Sequence, residues 1–202
     1  EFRRDALEVL RQPLEDGEII ISRANGSAKF PAKFMLVASM NPCPCGFYGD
    51  PSRQCICTPP QISRYLNKIS GPLLDRFDIH VEVPALSFQK LSNNQNNETS
   101  ADIRKRVNRV RALQVERYKD EGIYCNAQLS SKQIRKYCAL NEEQKKMMKI
   151  AFDSLKLSAR AYDKILKVAR TIADMENSPE IQTHHLAEAI QYRTMDRQYW
   201  EI

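Results

Sequence analysis

No apolar run in this 202-residue chain comes near the roughly 20 residues that a membrane-spanning helix needs; the longest, FMLVASM, covers residues 34 to 40. Nor do the first residues read as a secretory signal, because EFRRDALEVLRQ is charged and amphipathic. The two absences predict a cytoplasmic protein with no membrane partner, and in that compartment thiols stay reduced. Neither half is rich in proline and glycine, and the one biased tract is LSNNQNNETS. No G-x-x-x-x-G-K-S/T occurs, which excludes a phosphate-cradling P-loop within these residues. The 3 histidines lack ligand spacing, and no nucleophile–base pair for covalent catalysis is visible. What remains is a globular composition, 42% hydrophobic and 28% charged, long enough for one large domain or two small ones. The net charge of +6 permits a polyanionic partner such as nucleic acid without requiring one, since a solvated surface explains it as well.

Two patterns divide the chain. In the first part, EFRRDALEVLRQPLEDG sets Leu7, Leu10 and Leu14 at helical spacing, with Gly17 as a stop. The β-branched run Ile19 to Ile21 leads to Asn25-Gly26, which predicts a β-hairpin carrying Arg23, Lys29 and Lys33. FMLVASM has the continuous apolar character of a strand buried on both faces of a parallel sheet. PQISRYLNKIS reads as a helix, GPLLDRFD as a turn and IHVEVP as an alternating strand.

From about residue 98 only helices are expected. The first carries Ile103, Val107, Val110 and Leu113 on one stripe and is capped by Thr99 with Asp102. A short helix follows Ser130, longer ones occupy roughly 142 to 154 and 159 to 175 after Asn141 and Ser158, and a last one runs from about 184 to 193. The polar tract at 92 to 98 is the predicted boundary, giving an α/β part at 1–91 and an all-α part at 98–202. With one clear core strand before the loop and one after it, the α/β part looks like the back half of a parallel-sheet domain.

Three polar residues stand where chemistry is expected. Asn41 ends the buried strand, the edge at which open α/β sheets place their ligands, although an Asn before Pro42 equally begins a turn. Arg76 sits in a helix-to-strand turn between Asp75 and Asp78, suited either to surface ion pairs or to an arginine finger. Arg160 lies one turn into a helix, where a cation opposes the dipole but suits a phosphate.

Taken together, the strand ending in Asn-Pro, the LLDRFD turn and the helical part with SARA opening a helix resemble the latter half of a magnesium-chelatase-like AAA+ ATPase module. EFRRDALEVLRQPLEDGEIIISRANGSAKFPAKFMLVASMNPCPCG and LSARAYDKILKVARTIADMENSPEIQTHHLAEAIQYR are similar to the ComM/YifB competence-protein branch over nearly the whole chain. The resemblance implies a first-sensor role for Asn41, positioning the attacking water. It implies that Arg76 is an arginine finger reaching a neighbouring protomer and that Arg160 is a second sensor in a helical lid. It further implies a homo-oligomeric, hexameric ring that remodels DNA with ATP and Mg²⁺. Both Walker motifs would lie upstream of Glu1, so the chain alone is expected to be inactive. The hairpin, by analogy with related ring motors, would grip nucleic acid through Arg23, Lys29 and Lys33, unless these are routine solvated residues.

Four of the 6 cysteines fall in NPCPCGFYGDPSRQCICTPP as two Cys-x-Cys pairs. Cys43, Cys45, Cys55 and Cys57 can close a tetrahedral Zn²⁺ site if each pair folds into a tight turn; reduced free thiols and a disulfide are the alternatives. On an extended strand, Cys-x-Cys would point its thiols to opposite faces. The magnesium chelatase subunit proper has a short, cysteine-poor segment here, so the loop favours the competence branch. Two other functions are consistent with the residues: a chelatase-type subunit driving metal insertion, and a zinc-stabilised nucleic-acid-binding module.

Overall fold

The computed structural model of the chain describes residues 2–24, 26–84 and 98–193. It divides into two compact units, one at residues 1–80 and the other at 81–194, apart from the terminal residues. The tract at 92 to 97 and the hairpin tip Asn25 lie outside the described residues. Among those residues no helix is long and apolar enough to cross a membrane.

The first unit opens with α1 (Arg4–Val9) and α2 (Arg11–Asp16) where a single helix was expected. Pro13 explains the break at Leu10: it has no N–H to donate to the Val9 carbonyl, and it is tolerated only in the first turn of a new helix. Gly17 ends α2 as predicted, at φ 65° in the left-handed region. The predicted hairpin follows as β1 (Glu18–Arg23) and β2 (Gly26–Pro31), antiparallel, with Glu18 opposite Pro31 and Arg23 opposite Gly26. A diagonal ion pair from Lys29 to Glu18 at 2.8 Å and a Ser22–Ser27 hydroxyl contact at 3.0 Å tie its two strands.

This hairpin is the only sheet among the described residues. FMLVASM and IHVEVP, expected as core strands, are not strands here and are exposed except at Leu36 and His80, which are half-buried. Met35 is 88% accessible and Val83 is 83% accessible. A strand needs a neighbour for its N–H and C=O groups, and no described strand pairs with either run. The cysteine loop then leads to α3 (Pro59–Leu66), started by Thr58 in a capping box with Gln61, and to a one-turn helix α4 (Gly71–Leu74). A small core of Cys43, Ile62 and Leu66 joins the loop to α3, with Tyr48 and Tyr65 packed around it.

The second unit is all helical, as expected. It comprises α5 (Ser100–Arg117), a 3₁₀ turn at Asn126–Gln128, α6 (Ser131–Tyr137), α7 (Glu142–Ser154), α8 (Ala159–Met175) and α9 (Thr183–Gln191). The side chains of Thr99, Ser130, Asn141 and Ser158 each accept an N–H from the first turn of the helix they precede. The last helix departs from this rule, since Gln182 and His185 form its cap. The hub is α8, which buries Ala161, Ile165, Leu166, Ala169 and Ala173 against its neighbours. The expected stripe on α5 is only half used: Val110 is buried while Ile103 and Val107 are exposed.

Candidate functional site

The cysteine loop is where the sequence concentrates chemistry, and backbone turns bring its thiols together. The Gly46 N–H donates to the Cys43 carbonyl at 3.0 Å, and the Asp50 N–H to Phe47 at 3.1 Å. These turns remove the objection that Cys-x-Cys splays its side chains. Cys43 Sγ lies 3.3 Å from Cys45 Sγ and 3.7 Å from Cys55 Sγ, with 3.5 Å between Cys45 and Cys55. All four sulfurs, including that of Cys57, fall within 4.8 Å of one another. Four thiolates at about 2.3 Å around a tetrahedral Zn²⁺ stand about 3.8 Å apart, so the cluster already has the dimensions of that site.

Protonation points the same way. The Phe47 backbone N–H, the largest influence, draws the Cys45 thiol down to about 6 despite burial. A backbone bond from Cys57 pulls on Cys55 too, but burial and the neighbouring thiols outweigh it and push Cys55 up to about 12. Burial also raises Cys57. Cys45 ionises easily while Cys55 and Cys57 resist, and a bound divalent cation would offset that resistance. The donor set fits Zn²⁺, with no ligand position left open for catalysis.

Asn41 borders this loop. Gly46, at φ 83°, lies against it, and a Cβ there would stand 3.8 Å from the Asn41 Nδ2. Asn41 itself is exposed. Arg76, at the other end of the segment, is not the exposed turn residue that was expected. Its side chain is 10% accessible and its Nη2 pairs with Glu15 of α2 at 3.0 Å. Its Nε donates to the Arg11 carbonyl at 3.0 Å and its Nη1 to the Pro72 carbonyl at 2.5 Å. The α2 carboxylate and the Arg11 and Pro72 carbonyls hold it inward. Arg160 lies in the first turn of α8 in the second unit and is exposed. Of the hairpin cations, Arg23 is exposed at the end of β1, Lys29 is engaged by Glu18, and the Lys33 stem runs past Gly17.

Three features had no sequence reading. Asp174 on α8 is buried and receives Arg117 Nη1 at 2.9 Å, Arg170 Nε at 3.1 Å, Gln114 Nε2 at 3.1 Å and Asn126 Nδ2 at 2.9 Å. The Arg170–Asp174 spacing of one helical turn was its only visible signal. The second is the Arg53 guanidinium, 4.0 Å above the Phe47 ring centroid. The third groups Glu176, His184 and His185 at metal-binding distances. Here the His185 Nδ1 accepts the Gln182 N–H at 2.9 Å, so its Nε2 carries the proton toward Glu176 at 3.0 Å. That imidazole has no lone pair to give a metal, and the group is a helix cap. Cys138, outside the loop, is an ordinary buried thiol raised to about 11 by burial.

Comparison with known proteins covers nearly the whole chain. Residues 1–91 match the family model of the magnesium chelatase subunit ChlI, and residues 97–193 match that of the ChlI C-terminal part. The chain is 50% identical over 198 residues to the competence protein ComM of Haemophilus influenzae. It is 44% identical over 199 residues to the uncharacterized protein YifB of Escherichia coli, and 43% identical over 199 residues to YifB of Salmonella typhimurium. Each match covers 98% of this chain and 38% of the relative, so the chain spans under two fifths of their length.

Proposed function

The chain belongs to the magnesium-chelatase-like family, in its ComM/YifB branch, and from that premise we propose that it is the sensor, finger and lid portion of an AAA+ ATPase that remodels DNA. What supports the reading is the run of two consecutive family models over residues 1–91 and 97–193. In this account Asn41 orients the attacking water beside the γ-phosphate of ATP. Arg76 leaves Glu15 to neutralise charge developing on the phosphoryl group bound by the next subunit, a contribution of about 10³ to 10⁵ in rate. Arg160, in the first turn of α8, takes a phosphate oxygen from the lid side.

The part of the relatives' length outside this chain supplies the P-loop and the acidic pair that holds Mg²⁺. It also supplies the strands that the exposed runs FMLVASM and IHVEVP pair with in a parallel sheet. The assembled protein is a cytoplasmic hexameric ring, and this chain alone turns over no ATP.

Zn²⁺ on Cys43, Cys45, Cys55 and Cys57 has a structural role in this reading. The first unit has only a small core around the loop, and such cores need a staple. When bound, the ion supplies a cross-link between the segment after Asn41 and the approach to α3. Arg23, Lys29 and Lys33 on the hairpin meet DNA phosphates, giving salt-sensitive, sequence-blind affinity. The cysteine loop weighs against a chelatase-type subunit.

The experiment is steady-state ATP hydrolysis by the full-length protein with and without DNA. DNA should stimulate turnover, and Asn41→Ala should abolish it while leaving nucleotide binding intact. Turnover indifferent to DNA, with Asn41→Ala silent, contradicts the assignment.

A further inference from the structure

Beyond the hairpin, residues 41 to 74 carry an unusual surface. The stretch holds three cations, Arg53, Arg64 and Lys68, against one acid, Asp50. The Asp50 carboxylate accepts the Ser52 N–H at 2.7 Å and the Ser52 hydroxyl at 2.6 Å, so a local turn already engages it. All three cations are exposed. Two of them stand over aromatic rings: Arg53 lies 4.0 Å from the Phe47 centroid, and Lys68 Nζ lies 5.5 Å from that of Tyr65. Both pairs are rooted near one small core, because Tyr65 and Phe47's neighbour Tyr48 pack on Cys43, Ile62 and Leu66. Ile56, between the last two cysteines, is 85% exposed beside them in sequence.

We propose that this cysteine knuckle and α3 form a second nucleic-acid contact, a stacking platform for single-stranded DNA separate from the hairpin. A guanidinium held over an aromatic ring presents both charge and a flat π surface, on which an unstacked base can lie. Lys68 and Arg64 are cationic partners for the adjoining phosphates. Bases in a duplex are already stacked on one another, so the platform favours a single strand. The inference shares with the proposed function the premise that DNA is the partner, but it assigns the contact to residues outside the hairpin.

The test is fluorescence anisotropy of a labelled oligothymidylate titrated with the chain over a series of salt concentrations. The double variant Arg53→Gln/Lys68→Gln should bind at least about fivefold more weakly, and its log–log salt slope should fall by about 1.4. Phe47→Leu should weaken binding by about fivefold or more without changing the slope. Lys105→Gln on α5 is the control and should bind as the parent does. Unchanged thermal midpoints show that the knuckle is intact, and the surface variant Arg53→Gln alone serves if Phe47→Leu fails to fold. If the parent binds and the double variant and Phe47→Leu both bind equally well, the platform is refuted while DNA binding stands. Equal competition by duplex and single strand also refutes it. A parent that binds no oligothymidylate refutes the platform, while the DNA partner is decided separately by the ATPase response of the full-length protein to DNA.

Discussion

The guanidinium of Arg76 is latched to the carboxylate of Glu15 at 3.0 Å, from the turn after α4 across to α2. That pairing separates two accounts of the arginine. If Arg76 serves only to hold α2, both Glu15→Gln and Arg76→Ala act through the fold, and Arg76→Ala, which also loses the bonds to the Arg11 and Pro72 carbonyls, lowers ATP turnover only as far as it lowers the thermal midpoint. If Arg76 must leave Glu15 to reach a neighbouring nucleotide, the substitutions part company. We expect Glu15→Gln in the full-length protein to keep ATP turnover within about threefold, while Arg76→Ala lowers it by about 10³. Steady-state ATPase rates of the two variants, with ring assembly checked by light scattering, decide the matter.

The thiol cluster predicts metal content. The purified chain should carry close to one equivalent of zinc by elemental analysis, and a strong chelator should lower its thermal midpoint. Cys43→Ser should have the largest effect, because Cys43 belongs to the buried core that joins the loop to α3. Metal-free protein with an unchanged midpoint after chelation would rule the clip out.

Asp174 gives a stability prediction for the helical unit. Two arginines, an asparagine and a glutamine converge on one buried carboxylate. Removing it strands Arg170, which is 2% exposed, and Asp174→Ala should cost about 3–5 kcal/mol in urea unfolding. A loss below about 1 kcal/mol contradicts the network's structural role.

Glu121 sets an acid limit. Lys136 above all, with Gln133 and Tyr137, holds its carboxyl at about 2 against an ordinary value of 4.5. The folded form therefore keeps the charge that the unfolded form surrenders first on acidification. Its contribution is complete above about pH 4.5 and is lost as pH falls toward 2. Glu121→Gln should flatten the fall in thermal midpoint over that window, most clearly when compared with the parent at pH 7 and pH 3; parallel profiles would exclude the linkage.

Local signals made much of this fold legible in advance. Thr99, Ser130, Asn141 and Ser158 announce helices because each cap satisfies N–H groups within its own first turn, and the Asn25-Gly26 pair announces a hairpin for equally local reasons. FMLVASM is not a strand here because a strand needs a pairing neighbour, which no local pattern can guarantee. The site was legible in part. Cysteine spacing pointed to the cluster, but only the turns at Gly46 and Asp50 show how two Cys-x-Cys pairs converge. The Arg76–Glu15 contact and the Asp174 network join distant segments and left almost no trace in the sequence.

The central claim is that this chain completes nucleotide sites it cannot build alone, and subunit mixing tests it most directly. Full-length Arg76→Ala protein is combined with full-length protein disabled only in its P-loop, each inactive by itself, and ATP turnover is followed as the ratio varies. The account predicts that activity reappears in the mixture, because an intact pocket meets an intact Arg76 at some interfaces. Mixtures that stay inactive at every ratio despite forming common rings, or Arg76→Ala rings that hydrolyse ATP unaided, would contradict it.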